Sequence, residues 1–491
     1  MSGKKVAVGS AIMVAKRWAV RLLSLVSTMI LARLLVPQDF GVLALALSFS
    51  MLFEVLAEFN FDLALIRKSE VDDSHYHTAW TLNVIGNSAI AAALAVAAPL
   101  FATFAKVPEA TVVLQVIALC FFFDGLQNIG MVAWRRELQF SQEFHLEFWR
   151  KALEVLVAVL WALYSPSVWA LVAGMLAGRL SGLLLSFWLH PFRPRFSLLH
   201  WRELVGFSGW AMAFNFAVKV AQRTDHFLIS RMQGVTSVGF YSNAQMLASL
   251  PTVELVMPIS RALFPGFSAM IGEPARLRDT YLQALSGLLL LALPMAVGLV
   301  FVADAAVLLL LGEQWLSTTP LVQALALAQV VALSAASSVP LLMALGRMRG
   351  LFLRALAMIA YRPLLMYVVL TWHGLNGAPW AVLASVLIQV SIDSWLIRRA
   401  LDFTVLDWLR RTWRPYVAVL VMAAVLWLSL PAAAPVGVSA ALLRLAVAVA
   451  LAAPVYAGTV LLLWWLAGQP AGLERMLVQA VKQRLRPAAV G

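Results

Sequence analysis

Charge and cysteine are what this chain has least of. Only 12% of its 491 residues are charged and 62% are hydrophobic, a balance that no soluble core of this length absorbs. The scarcity excludes a water-soluble enzyme or binding domain and leaves a polytopic membrane protein. One cysteine, Cys120, lies in the apolar run ALCFFFDG. Alone, it permits no intramolecular disulfide and no cysteine-based metal cluster. Acidic residues are also few, 24 against 37 Lys and Arg, which gives a formal net charge of +13. On a polar domain that excess would point to nucleic acid. Here the cations are scattered between apolar runs, so no nucleic acid partner is expected. Nor is a cleavable leader: Lys4 and Lys5 resemble a basic n-region, but Lys16 and Arg17 interrupt the apolar stretch and no cleavage site follows.

What is present is a series of apolar runs of about 20 residues, bounded by charge, Pro or Gly. Fourteen are readable, near 11–34, 40–66, 79–104, 110–133, 145–164, 168–190, 205–232, 237–265, 280–303, 318–343, 350–372, 378–399, 412–430 and 441–466. The expected fold class is all-α, a polytopic membrane protein with about 14 transmembrane helices. Of the 37 cations, 28 fall on the loops of one side and only Arg33, Lys106, Arg231 and Arg444 on the other. That bias places both termini in the cytoplasm. The opposite loops run to about 15 residues at most, too short for a domain that carries chemistry.

Five cations remain inside spans: Arg21, Arg179, Lys219, Arg223 and Arg362. A guanidinium at mid-bilayer costs about 3 kcal/mol or more, so each needs a reason. A clue comes from a repeat. Shifting AKRWAVRLLSLVSTMILARLLVPQDFG, residues 15–41, by 198 positions lays it without a gap on AFNFAVKVAQRTDHFLISRMQGVTSVG, residues 213–239. Ala15, Ala19, Val20, Arg33 and Gly41 meet identical residues, and Arg21 meets Lys219. Each copy opens a six-span set of the same orientation, the pattern of parallel repeats about an axis along the membrane normal. The expected division is an N-lobe at 1–192, a basic cytoplasmic linker at 193–204, a C-lobe at 205–400, two further spans within 401–466 and a basic tail at 467–491. Residues from about 412 onward hold no mid-span charge except Arg444 near an outer edge, so that pair of spans is expected to be separable from the lobes.

Arg17, Arg21, Ser24 and Thr28 share one face of the first span, and Asn215, Lys219, Gln222 and His226 repeat that face on the seventh, with Arg223 four residues from Lys219. Two such stripes facing each other would line a cationic cavity. Alternatively, each cation pairs with a carboxylate such as Glu54, Glu58, Asp62 or Asp124. Arg362 precedes Pro363, where a helix bend would turn it either to the cavity or to a carboxylate on a neighbour. Asp225 lies off the Lys219–Arg223 face and has no basic residue at i±4, whereas Glu54, Glu58 and Asp62 follow one another at i+4. Each of these is a candidate site for coupling to a proton or Na⁺.

Other features read as architecture. HYH at His75 to His77 reads as a solvated loop and not as a metal site. Glu147 with Lys151 and Arg150 with Glu154 read as helix-face pairs, Gly174, Gly178 and Gly182 as close helix packing, and Trp464 and Trp465 as an interface belt. No nucleophile–base arrangement, cofactor motif or metal-ligand spacing stands out, so the chain is not expected to be an enzyme.

Four stretches resemble a known family: LARLLVPQDFGVLALALS, RRELQF ahead of the fifth span, LGEQW after the ninth and PLLMALGRMRG between the tenth and eleventh. They are similar to the polysaccharide transporter family, the Wzx-type flippases of the multidrug/oligosaccharidyl-lipid/polysaccharide (MOP) exporter superfamily. The resemblance covers most of the first 400 residues. It implies two six-helix lobes with pseudo-two-fold symmetry, alternating access, and two peripheral helices. It implies a substrate, an undecaprenyl-diphosphate-linked oligosaccharide, moved across the bacterial inner membrane for exopolysaccharide, capsule or O-antigen export. It further implies a monomer among membrane lipids, working beside the polymerase and chain-length or export proteins of its pathway. In related lipid II flippases, cations on the first helix and its C-lobe equivalent line the cavity, and Arg21, Lys219 and Arg223 match them. In the same relatives the extra helix pair makes a groove for the polyprenyl tail. Two rivals stay open. A multidrug or lipid exporter of the same superfamily would favour an acidic, aromatic cavity and twelve helices. A membrane polysaccharide polymerase would need a long external loop.

Overall fold

Apolar runs of this length must satisfy their own backbone hydrogen bonds, which in hydrocarbon leaves helices. The computed structural model describes the chain except residues 1–2, 58–60, 62–64, 67–70, 138–139, 205–208, 403, 432, 471, 476–478 and 480–491. Glu58 and Asp62 therefore lie outside the described residues, as does the side chain of Arg17. Fourteen helices of at least 15 residues stand among the described residues. The first seven are α1 (Gly3–Leu34), α2 (Pro37–Ala57), α3 (Asp73–Ala105), α4 (Ala110–Leu126), α5 (Phe140–Tyr164), α6 (Val168–Leu189) and α7 (Gly209–Gln233). They continue with α8 (Val235–Ser268), α9 (Pro274–Leu310), α10 (Thr319–Leu333), α11 (Met348–His373), α12 (Ala378–Leu401), α13 (Val405–Ser429) and α14 (Val438–Leu466).

By length and composition, seven stretches are apolar enough to cross a membrane, or eight if the bent α8 is one span. The Met348–Leu401 stretch counts once although it holds both α11 and α12. Helix α7 is not among them, because Lys219, Arg223, Asp225 and Arg231 lie along it. Length and apolarity together thus secure seven or eight of the expected fourteen crossings; α7 falls outside them for its charge and α4, at 17 residues, for its length.

The chain forms two compact units, Met1–Ser242 with Leu310–Gln314, and Asn243–Leu309 with Trp315–Gly491. In the first, α3 packs on α4, α5 on α6, α1 on α5, and α7 on α2. Gly174, Gly178 and Gly182 make the α5–α6 approach possible: a Cβ there would lie 2.6 Å from Ala158 Cβ, 2.9 Å from Glu154 Cβ and 2.8 Å from Arg150 Cδ. A closer approach marks the repeat. A Cβ on Gly41 would overlap the Val235 carbonyl oxygen, and a Cβ on Gly239 would overlap that of Pro37. Pro37 and Val235, like Gly41 and Gly239, are 198 positions apart. The starts of α2 and α8 therefore meet about a local two-fold axis, backbone against backbone, where only glycine fits and Cα–H groups face carbonyl oxygens. At the same end, the side-chain amide of Gln314, in LGEQW, donates to the carbonyls of Ala32 and Leu35 (3.0 Å for Leu35) and so answers open acceptors at the C-terminus of α1.

The second unit is held by buried ion pairs. Arg354 of α11 reaches both oxygens of Asp393 of α12 at 2.7 and 2.6 Å, with 5% and 0% of the side chains exposed. Arg414 of α13 meets Glu474 at 2.8 Å, and Arg444 of α14 meets Asp304 of α9 at 3.0 Å. Tyr456 of α14 donates to the Leu290 carbonyl of α9 at 2.9 Å. These bonds correct the expectation that residues from 412 onward are separable. Removing them would leave Asp304 as an uncompensated buried carboxylate, a loss of about 3–5 kcal/mol.

The glycine crossing makes the first prediction. Gly41→Ala and Gly239→Ala should each lower stability by about 1–3 kcal/mol through overpacking. The double variant should cost less than the sum, because either methyl alone parts the same two helices. Thermal unfolding of the purified protein in detergent checks both; strict additivity would deny the shared contact.

Candidate functional site

Three of the five cations, Arg21, Lys219 and Arg223, are placed by α1 and α7, the helices that carry the repeat. Along α7, Asn215 and Gln222 are exposed, Lys219 and Arg223 half-buried, and His226 buried. Along α1, Arg21, Ser24 and Thr28 are half-buried. The Ser24 hydroxyl donates to the Val20 carbonyl and that of Thr28 to the Ser24 carbonyl, both at 3.0 Å. Those two hydroxyls are thus taken up by their own helix, and among the described side chains Arg21 is the charged group of that face. Arg21 and Lys219 each lie 20 positions before their respective glycines at the crossing. Because α7 packs on α2, Arg223 comes within electrostatic reach of Glu54 as well as of Asp225.

Asp225 is fully buried, as its place off the polar face suggested. It is not bare: the Tyr241 hydroxyl of α8 donates to it at 3.0 Å, and the Tyr241 ring meets the His226 ring edge-on at 5.5 Å. Sequence spacing along one helix could not show a partner 16 residues away on the next. For Arg179 the structure gives the paired arrangement. Its guanidinium lies 2.8 Å from Asp124 of α4, whose other oxygen accepts from Gln127 at 2.8 Å. Arg362 is buried in α11 immediately before Pro363 and belongs to the second unit. Two expected helix-face pairs are replaced by one, Lys151 with Glu154 at i+3, 2.6 Å apart.

The linker is the feature that sequence reasoning most underrated. The His75–His77 segment is not a solvated loop but the seat on which residues 190–200 lie. His77 Nδ1 accepts from the Arg195 amide at 3.0 Å, and Thr81 Oγ1 accepts from the Ser197 amide at 2.9 Å. The His75 and His200 rings stack at 3.8 Å, and Phe196 packs on Trp80. Ligand atoms of Asp72, His75 and His200 lie within 4.8 Å of one another. They already have work: Asp72 and His75 form the capping box of α3, Ser74 donates to Asp72 at 2.7 Å, and His200 Nε2 meets Ser74 Oγ at 2.8 Å. Hydrogen bonds from Ser74 and His75 hold the Asp72 carboxyl well below the usual carboxylate range. On the far side of the linker, Asn128 donates to the Phe192 carbonyl at 2.8 Å, and His190 Nδ1 accepts from the Phe192 amide at 3.1 Å.

Residues 30–320 match the family described as polysaccharide biosynthesis protein. The chain is 28% identical over 412 residues to the succinoglycan biosynthesis transport protein ExoT of Rhizobium meliloti (strain 1021), covering 82% of each. It is 20% identical over 371 residues to the teichuronic acid biosynthesis protein TuaB of Bacillus subtilis (strain 168), covering 74% of this chain and 76% of that one. Among solved structures, it is similar to the lipid II flippase MurJ in an inward closed conformation. The TM-score is 0.70 at 13% identity, over 92% of this chain and 99% of that one, which establishes a shared fold.

The linker gives a pH prediction. Burial, reinforced by the Arg193 guanidinium, holds His190 below its ordinary value of 6.5, and its Nδ1 must be unprotonated to accept from Phe192. A histidine with a depressed folded pKa leaves more protons on the unfolded state in the window just below 6.5. The stability it lends is therefore present above that value and lost as pH falls toward the folded pKa. The protection factor of the Phe192 amide, its exchange rate measured against the intrinsic rate at each pH, should fall between pH 7.5 and 5.5, and His190→Gln should flatten the change.

Proposed function

The chain belongs to the polysaccharide biosynthesis protein family, and from that premise we propose that it is a flippase. Its substrate would be an undecaprenyl-diphosphate-linked oligosaccharide, carried across the bacterial inner membrane by alternating access for exopolysaccharide, capsule or O-antigen export. In this reading all fourteen helices cross the membrane as two six-helix lobes and a peripheral pair, with both termini cytoplasmic. The observation that carries it is the pair Arg21 and Lys219, repeat-related cations on half-buried helix faces. A diphosphate carries about two negative charges and loses its hydration in hydrocarbon, and a guanidinium binds its oxygens through paired donors. Substrate and site each offset the other's desolvation. Arg223 would extend the cationic face. Arg179, already held by Asp124, and Arg362 are the further candidates for the diphosphate. Asp225 and Glu54, close to Arg223, are the described candidates for coupling to a cation gradient, and Glu58 and Asp62 extend the helix 2 alternative.

The lipid tail has a matching feature. Within the second unit a cavity of about 570 Å³ lies between α9, α13 and α14, lined by residues such as Leu290, Pro294, Met422, Leu426, Ala448 and Tyr456. We assign it to the polyprenyl chain, in keeping with the role the resemblance implies for the last two helices. A drug exporter is the weaker reading, because an organic cation would meet like charge at Arg21 and Lys219.

Two outcomes follow. Arg21→Ala or Lys219→Ala should reduce flipping of a lipid-linked oligosaccharide in proteoliposomes by tenfold or more with the protein still folded, while Arg21→Lys should lose less, keeping the charge but not the fork. Full complementation of a deletion strain by both alanine variants would refute the site. Filling the apolar cavity by Ala448→Phe should lower transport of long-chain substrates while sparing those with a shortened prenyl chain. Truncation from 412 cannot make this test, because it breaks the Arg444–Asp304 pair.

A further inference from the structure

Nearer the start of α9 the second unit holds another cavity, of about 510 Å³. From α9 it takes Thr280, Gln283, Ala284, Gly287, Leu288 and Leu291, a set spaced at i, i+3, i+4, i+7, i+8 and i+11 and therefore a single helix face. That face is graded, with two polar side chains first and apolar positions after them. From Thr280 to Leu291 the helix rises about 16 Å, close to the hydrocarbon depth of one leaflet. Ile259 and Leu263 of α8 add an apolar wall. The last wall is the segment that follows α14, and it is held in place. Glu474 forms a buried ion pair with Arg414 of α13 at 2.8 Å, and the Trp464 indole donates to the Pro470 carbonyl at 3.1 Å. Leu473 lies over Gly287, where a Cβ would meet it at 3.8 Å. Arg475 follows Glu474 directly, so the buried pair sets an exposed guanidinium at the cavity, with Gln479 one turn further on.

Length and charge together select the occupant. Among the described lining residues Arg475 is the one charged group, and no carboxylate is present. The acids close by in sequence are answered: Glu474 by Arg414, Asp279 by Arg278 at 3.7 Å and Glu273 by Arg276 at 3.2 Å. Residues 475–491 include Lys482, Arg484 and Arg486 and no acidic residue. An apolar face one leaflet deep, with a guanidinium and amides beside it, suits an amphiphile with an anionic head. Leu291 also lines the apolar cavity assigned above to the polyprenyl chain, which makes the carrier lipid the rival occupant. Charge separates the two. One guanidinium matches the single charge of a phosphodiester, whereas a diphosphate carries about two and has Arg21, Lys219 and Arg223 in the reading above. The ammonium of phosphatidylethanolamine would find no carboxylate here, while the Gln283 and Gln479 amides can both donate to and accept from a glycerol head. We propose that this cavity is a binding site for one anionic phospholipid of the phosphatidylglycerol type, its phosphate on Arg475 and an acyl chain along α9. The lipid is a resident of the fold and not its cargo, so the proposal stands apart from the transport reading.

Native mass spectrometry of the full chain in detergent tests it, with dioleoyl phosphatidylglycerol, dioleoyl phosphatidylethanolamine and dioleoylglycerol as probes. The first phosphatidylglycerol should bind severalfold more tightly than phosphatidylethanolamine, and dioleoylglycerol more weakly than either. Arg475→Gln should weaken phosphatidylglycerol about tenfold, the loss expected for a hydrogen bond to a charged group, and abolish its preference; Arg475→Lys should lose less. Ala284→Trp, which fills the groove, should weaken both phospholipids. Arg399→Gln, at an exposed cation of α12 stacked on Trp395, should change nothing. Should a cavity variant fail to fold, Gln283→Leu at an exposed position should still weaken phosphatidylglycerol severalfold. Equal binding of the two phospholipids, an unaltered preference in Arg475→Gln, or the same loss in Arg399→Gln would each overturn the site. Undecaprenyl diphosphate is then added in competition. If it displaces phosphatidylglycerol from the wild-type chain and loses affinity with Arg475→Gln, the cavity belongs to the carrier and the proposal fails; if both are bound together, the resident lipid is upheld.

Discussion

A charge taken out of water must be answered by an opposite charge, by hydrogen bonds or by retained water, at several kcal/mol per ion. Much of this fold follows from that constraint. Arg179 with Asp124, Arg354 with Asp393, Arg414 with Glu474 and Arg444 with Asp304 each join two different segments of chain. Helices with nearly uniform apolar surfaces have little else to choose a neighbour by, since lipid packs against leucine as well as another helix does. A guanidinium that finds its carboxylate at only one rotation and one height fixes both. The ion pairs therefore act as locks on register, and the penalty for breaking one is what makes the lock hold.

Set against those locks, Arg21, Lys219 and Arg223 occupy a different environment. They are half-buried, on helix faces that also carry Ser24, Thr28, Asn215, Gln222 and the buried His226. The site proposed for an anion thus differs from the Arg354–Asp393 pair in exposure, half-buried where that pair is buried. The glycine crossing above them supplies the complementary mechanical element. Where Gly41 and Gly239 let backbone touch backbone, the starts of α2 and α8 close on each other without side chains between them. A contact made of many small dispersion terms and weak Cα–H bonds is dense but individually weak, suited to a joint that has to part during alternating access.

The proposed cargo is amphiphilic, and each unit holds a different environment. The second contains the apolar cavity against α13 and α14. The first contains a polar cleft between α3, α4 and α5, whose floor is tied to the linker through Asn128 and His190. The linker is consequently part of a packed surface and not a passive connector: its amides are caught by His77, Thr81 and His190, and its aromatic side chains pack on α3.

By itself the sequence determined the class, the family and the order of the helices. Those depend on apolar periodicity, on charge at the ends of runs and on a 198-residue repeat, all local or translational patterns. It singled out Arg21 and Lys219 for the same reason, because a lone charge in an apolar run is conspicuous. Asp393 and Asp304 are conspicuous in that way too, yet a lone carboxylate does not tell which cation it will meet. Which charge meets which was decided only by tertiary structure. Arg179 finds Asp124 across two helices, Tyr241 reaches Asp225, and Arg444 crosses from the last helix to Asp304, so the final pair is tied to the rest of its unit. The glycine at 41 aligned with the glycine at 239 in sequence, but that the two press against each other is a fact of packing. Partners distant along the chain are chosen by the energy of burying them together, and a linear pattern carries no record of that choice.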